Sequence, residues 1–181
     1  DDIIIGSENI ENHKRDLEEL FKRLSENNLQ INRQKCNFFK PEVKFLWHYV
    51  SSSGIRPLPE RLKSINEFPK PENVTNLRSF LGVINYCHRF IPHISNILTP
   101  LTSISKGPKK SKIVWDEKTS NSFEEAKKAL LNIQTLAFPK PGLRLSLTTY
   151  ASNSAVGGVL HQLEKDGPKP LEFYSKKLLE T

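Results

Sequence analysis

Between residues 57 and 100, proline falls at positions 57, 59, 69, 71, 92 and 100, and this punctuation restricts the middle of the chain to short helices. Proline fixes φ near about −65°, lacks an N–H, and turns the preceding residue away from helical geometry. Continuous helix therefore has to lie between prolines. The spacing predicts a short helix over residues 60–68 and a longer one starting near Thr75 or Asn76, where Val74, Leu77, Leu81 and Ile84 recur at steps of three and four. Beyond Pro92, Ile94, Ile97, Leu98, Leu101 and Ile104 continue that spacing, with Pro100 expected to interrupt or kink it.

The flanks have a different texture. Ile3-Ile4-Ile5 reads as a buried strand closed by Gly6-Ser7, and residues 7–28 place Ile10, Leu17, Leu20, Phe21 and Leu24 on one helical face before Asn27-Asn28. Residues 29–32 and 43–50 read as strands, the second being Val-Lys-Phe-Leu-Trp-His-Tyr-Val, with Ser53-Gly54 as the turn that follows. At the other end Phe123, Ala126, Leu130 and Ile133 mark a helix. Alternation over residues 143–149 predicts a strand with one face buried, and residues 156–162 and 171–175 continue a meander around Lys165-Asp166-Gly167-Pro168. Three strands without following helices leave one face uncovered, so the last domain is expected to be cut short. The chain also has no Met and opens on two carboxylates, which marks it as an expected fragment.

Charge separates the segments more sharply than composition does. Residues 1–56 carry 9 basic and 9 acidic side chains, residues 57–115 carry 9 and 3, and residues 116–181 carry 9 and 8. A surplus confined to the middle suits a surface that faces phosphates, where each neutralised phosphate releases counterions. The run Lys106-Gly-Pro-Lys-Lys-Ser-Lys112 is too charged to pack and is expected to be a linker or exposed loop, with a domain boundary near residue 112. Cys36 and Cys87 lack the paired spacing of a zinc site, which argues against a zinc finger or disulfide framework and for buried thiols. No stretch reaches the roughly 18 apolar residues of a membrane span and no signal peptide is present, so no membrane partner and a cytoplasmic or nuclear setting are expected. The five histidines are scattered singly and offer no catalytic constellation.

Asp1-Asp2 at a strand entrance could hold a divalent cation, since Mg²⁺ prefers carboxylate oxygens. Isolated, the pair says little, but it opens an ordered series. Asp1-Asp-Ile-Ile-Ile-Gly-Ser7 is followed by Leu29-Gln-Ile-Asn-Arg-Gln-Lys-Cys36, Phe45-Leu-Trp-His48, Gly54-Ile-Arg-Pro57, Leu77-Arg-Ser-Phe-Leu-Gly82, Tyr86 and Arg89-Phe-Ile-Pro92. Then come Ile113-Val-Trp-Asp116, Phe123-Glu-Glu-Ala126 and Leu147-Thr-Thr-Tyr-Ala-Ser152. Taken together the series resembles the reverse transcriptase of gypsy-class LTR retrotransposons, from the paired aspartates through the thumb to the opening of an RNase H-like domain.

The resemblance implies an α+β fold: a partial palm over residues 1–56, a helical thumb over 57–112, and a connection helix with a truncated RNase H-like α/β domain over 113–181. It implies that Asp1 and Asp2 are the catalytic, Mg²⁺-binding pair of an RNA-directed DNA polymerase. It also implies that Phe45, Leu46, Trp47 and His48 form the strand gripping the primer terminus, although a glycine is expected where Trp47 stands. The basic thumb would hold an RNA–DNA or DNA template–primer duplex, with Arg61, Lys63, Arg78 and Arg89 as candidates, and the rest of a Pol polyprotein would be its covalent partner. Tyr150 stands where the family places the first metal-binding carboxylate of RNase H, and a phenol with pKa near ~10 is a poor Mg²⁺ ligand. The expectation is a polymerase fragment inactive alone and lacking RNase H activity. The alternative is a domesticated, non-enzymatic module that binds nucleic acid or a partner.

Overall fold

The computed structural model describes residues 2–178, in two compact units that divide after Ser52. In the first unit, Asn9 caps helix α1 (Ile10–Glu26) by accepting from the Asn12 N–H, and Asn27 closes it. The helix is amphipathic, as its spacing predicts, yet none of its residues is buried. Aromatic edges hold its face instead: His13 lies 5.1 Å from Phe39 and Phe21 lies 6.2 Å from Phe38, ring to ring. Ile3, Ile4 and Ile5 form no regular strand, and Ile3 is 57% exposed, so the apolar run that suggested a buried strand finds no partner among the described residues. Residues 29–32 likewise stay irregular, ahead of a single 3₁₀ turn at Arg33–Lys35.

The expected strand over residues 43–50 is a hairpin. Strand β1 (Glu42–Phe45) pairs antiparallel with β2 (His48–Ser51), and the Phe45–His48 pair closes a two-residue turn made of Leu46 and Trp47.

The second unit begins with β3 (Gly54–Pro57), which exchanges hydrogen bonds with Leu136: the Ile55 N–H reaches the Leu136 carbonyl at 2.8 Å and the Leu136 N–H returns at 3.0 Å. Gly54 has φ +128°, and a Cβ there would overlap the Leu136 carbonyl, so the crossing requires glycine. The prolines then delimit helices as the sequence predicts: α2 (Pro59–Asn66), α3 (Val74–Cys87) capped by Asn73, and α4 (Ile94–Ile104). Pro100 sits inside α4, which runs on to Ile104 rather than ending there. Helix α5 (Glu117–Leu131) starts at a capping box in which Asp116 and Thr119 satisfy one another's backbone N–H groups.

One apolar core joins these helices. Phe80 of α3 meets Phe123 of α5 at 4.6 Å between ring centroids, and Ile65, Leu77, Ile84, Ile94, Leu101, Leu130 and Leu136 close around them, each no more than 2% exposed. Trp115 packs on Phe123 and donates its indole N–H to the Pro71 carbonyl at 2.9 Å. Strands β4 (Leu145–Ala151), β5 (Ala155–Glu164) and β6 (Gly167–Lys177) form the expected antiparallel meander, in the order β4-β5-β6. Phe173 of β6 enters the same core. The packing therefore shows no break at residue 112.

Strand β4 turns inward the face opposite its leucines, whereas Leu171 of β6 is buried. Leu145 and Leu147 are 60% and 67% exposed, while Tyr150, Phe173 and Ser175 face the helices. Alternation reveals that a strand has two unlike faces, but which face is covered depends on what lies across from it.

Candidate nucleic-acid interface

The turn between β1 and β2 places two apolar side chains in solvent under strain. Leu46 and Trp47 have φ of +43° and +69°, the geometry of a type I′ turn, which Asn-Gly normally occupies. Left-handed backbone costs a residue with a Cβ roughly 1–2 kcal/mol. Leu46 and Trp47 are nonetheless 57% and 56% exposed, with Phe45 and His48 half-buried at the ends of the flanking strands. The turn thus exposes much of two apolar side chains. It also accounts for the glycine expected at position 47, since that is a position where the backbone needs positive φ.

The four basic candidates fall into separate local networks. On α2, Arg61 and Lys63 are two residues apart, which at 3.6 residues per turn sets them about 200° apart around the helix. Lys63 pairs with Glu67 at 3.8 Å, both exposed. Arg61 lies close enough to Tyr86 to favour its ionised form, against burial and Cys87, which together hold the phenol above its ordinary value. Arg89 pairs loosely with Glu172 at 3.9 Å and lies over the Phe90 ring. Arg78 donates through Nε and a terminal nitrogen to the carbonyls of Ser105 and Gly107, each at 3.0 Å. That commitment orders the lysine-rich loop, a role its sequence position does not announce.

On the second sheet Tyr150, Gly157 and Ser175 make one cross-strand row. A Cβ at Gly157 would collide with the ring and hydroxyl of Tyr150, so the phenol lies across the glycine. Its ring stacks 3.9 Å from that of His93, tilted 43°, and its hydroxyl reaches the Tyr174 carbonyl at 3.5 Å. Beside it, Ser175 Oγ accepts from the Ser95 N–H at 3.1 Å and donates to Ser95 Oγ at 3.0 Å, with His88 Nε2 3.4 Å away. Asn96 Oδ1 accepts from Ser152 and Ser154 at 3.3 and 3.2 Å. Burial depresses the His88 pKa, partly opposed by Ser175. The start of α4 is thereby joined to the sheet by side chains that no sequence motif flags, because the partners are more than 50 residues apart.

Magnesium would need a set of carboxylate oxygens. Asp1 lies outside the described residues and Asp2 is exposed. No group of three or more His, Cys, Asp and Glu side chains able to hold a metal occurs among the described residues. At position 150 the available oxygen is a phenol engaged in packing. The described residues therefore do not by themselves fit the ion. Of the two cysteines, Cys87 is buried and its thiol is pushed up to about 11 by that burial, whereas Cys36 is half-buried with Sγ 3.3 Å from the Asn32 carbonyl. The expectation of two buried thiols thus holds only for Cys87. No helix among the described residues is long and apolar enough to cross a membrane.

A reverse transcriptase (RNA-dependent DNA polymerase) family model matches residues 1–50, and a model of the RNase H-like domain found in reverse transcriptase matches residues 115–181. The chain is 35% identical over 100% of its length to the retrovirus-related Pol polyprotein from transposon opus and 36% identical over 98% to that from transposon 297, both of Drosophila melanogaster. It is 32% identical over 98% of its length to the transposon Tf2-3 polyprotein of Schizosaccharomyces pombe. It spans only 19%, 16% and 13% of those relatives. Among solved structures, the foamy viral protease-reverse transcriptase dRH in complex with double-stranded DNA is similar over 97% of this chain and 31% of its own, with TM-score 0.82 and 25% identity. The foamy viral protease-reverse transcriptase in complex with an RNA/DNA hybrid is similar over 98% and 24%, with TM-score 0.80 and 26% identity. The chain belongs to the reverse transcriptase and RNase H-like region of LTR-retrotransposon Pol polyproteins.

Proposed function

We propose that this chain is the template–primer-holding part of an RNA-directed DNA polymerase from a gypsy-class element. Residues 1–56 supply the end of the palm, 57–112 the thumb, and 113–181 the connection and the start of the RNase H-like domain. The observation that carries this is the likeness, over 97–98% of the chain, to foamy viral enzymes whose structures contain double-stranded DNA or an RNA/DNA hybrid. The basic surplus of residues 57–115 supports a grip on phosphates that ignores sequence. Arg61, Lys63, Arg78 and Arg89 contribute to that field, while Phe45, Leu46, Trp47 and His48 meet the primer end. The exposed Trp47 ring stacks on a base or sugar there.

Mg²⁺ would be the metal of the polymerase, with Asp1 and Asp2 as residues that would help to hold it. When bound, it would activate the primer hydroxyl and steady the departing pyrophosphate. The chain alone holds duplex without extending it. Tyr150 abolishes RNase H activity, because the position of the first carboxylate carries a phenol locked between Gly157 and His93. That same engagement favours one alternative, a retained non-enzymatic binding module. Competition between a labelled RNA/DNA hybrid and hybrids of scrambled sequence tests the grip: equal competition is expected, and a strong preference for one sequence would contradict it. Tyr150→Asp in a chain extended through the RNase H-like domain tests the second point. Cleavage by the unmodified extended chain would overturn it.

A further inference from the structure

Lys106, Lys109, Lys110 and Lys112 lie within seven residues that contain no acidic side chain. All four are exposed, and none forms a salt bridge among the described residues. Such a run would ordinarily be a mobile linker, but its backbone is tied down along its length. Arg78 holds the carbonyls of Ser105 and Gly107. The Thr75 N–H and hydroxyl both donate to the Lys109 carbonyl, at 3.0 and 2.7 Å. The Val74 N–H donates to the Ser111 carbonyl at 3.1 Å, Asn73 and Lys112 form an antiparallel bridge, and the Ile113 N–H reaches the Glu72 carbonyl at 3.0 Å. Loop carbonyls thus take up donors at the start of α3 that a free helix end would leave to water.

The result is a hydrogen-bonded backbone carrying exposed cationic heads. Counting Arg78, the loop and its anchor carry five basic side chains, and the segment bridged to the loop carries one acid, Glu72. Crowded like charges repel, and a polyanion relieves that repulsion while the prior ordering of the backbone lowers the entropy lost on binding. Lysine is a point charge that makes no geometric demand, and a duplex presents one phosphate charge per about 1.7 Å of its axis. A regular, dense array of that kind suits four adjacent ammonium groups better than the scattered carboxylates of an acidic peptide do.

We propose that the loop of residues 106–112 is a backbone-phosphate clamp for duplex nucleic acid, with Arg78 as its positioning residue. The inference rests on the duplex-holding function proposed above and adds to it a further contact region, the loop itself, beyond the hairpin turn, α2 and Arg89.

Salt titration of duplex affinity tests it. The 181-residue chain, a loop variant with all four lysines changed to Gln, and a charge-matched control with Lys118, Lys128, Lys165 and Lys176 changed to Gln are each titrated with a labelled DNA duplex from about 50 to 200 mM salt. At about 0.9 in the slope of log affinity against log salt per phosphate neutralised, the loop variant is expected to lose roughly 2 to 3 in slope and the control less than about 1. A milder variant changing only Lys109 and Lys110 gives about half the loop effect. Arg78→Lys keeps the charge but not the forked contact with two carbonyls, so a several-fold loss of affinity with the unfolding transition retained assigns it to positioning. Intact duplex binding with equal slopes for the loop variant and the control overturns the clamp and leaves the proposed function standing. A loop that binds polyglutamate while duplex affinity is indifferent to its lysines also overturns the clamp. Absence of duplex binding by the unmodified chain overturns both.

Discussion

Trp47 shows how a single backbone angle connects sequence to function. At φ +69° it occupies a place suited to glycine, so Trp47→Gly should stabilise the first unit by about 1 kcal/mol, read from its denaturant midpoint. The same change should weaken duplex binding if the exposed indole stacks. A drop in stability would show that the indole holds the hairpin rather than straining it. Tyr150, proposed to stand where the family places a metal-binding carboxylate, is the complementary case, and its ring fills the space above Gly157. The cysteines separate cleanly. Iodoacetamide at neutral pH should label Cys36 and spare Cys87, whose thiol sits 1% exposed with its pKa raised from 9.0 to about 11. Because that folded-state value is the higher one, the stability it reflects is fully present below pH 9.0 and drains away as pH rises toward 11.

At the scale of elements, prolines and helical spacing made α2, α3, α4 and α5 legible, since both act locally through backbone geometry and apolar periodicity. Strand faces and pairings were less legible because they depend on distant partners. The β1–β2 turn lacks the Asn-Gly signature, so residues 43–50 looked continuous, and Ile3 to Ile5 looked buried for want of any sequence mark saying what would cover them. The lysine loop looked free because its anchors, Arg78 and Thr75, lie 27 to 34 residues away from the carbonyls they hold. The central aromatic pair gives the sharpest test of packing: Phe80→Ala should cost about 3–5 kcal/mol, measured by thermal or denaturant unfolding. A cost below 1 kcal/mol would mean that α3 and α5 do not share a core. At the α4–sheet joint, His88 is depressed below its ordinary 6.5, so its contribution is present above pH 6.5 and is lost as pH falls. A stability profile that declines below pH 6.5, and declines less in His88→Gln, checks this; a decline of the same size in both would assign it to other groups.

At the largest scale, one core reaches within the second unit from the prolines of the middle segment to the sheet, although a family model matches only residues 115–181 of that unit. Residues 53–178 should therefore unfold in a single cooperative transition when expressed alone, and separate thermal transitions for the helices and the sheet would argue otherwise. The central proposal is that these 181 residues by themselves grip duplex and perform no chemistry on it. The direct measurement places the 181 residues with a labelled DNA primer on an RNA template, Mg²⁺ and all four deoxynucleotides, and resolves the mixture first on a native gel and then on a denaturing one. The account predicts a shifted complex with primer and template both unchanged in length. A longer primer, a shortened template or no complex would contradict it.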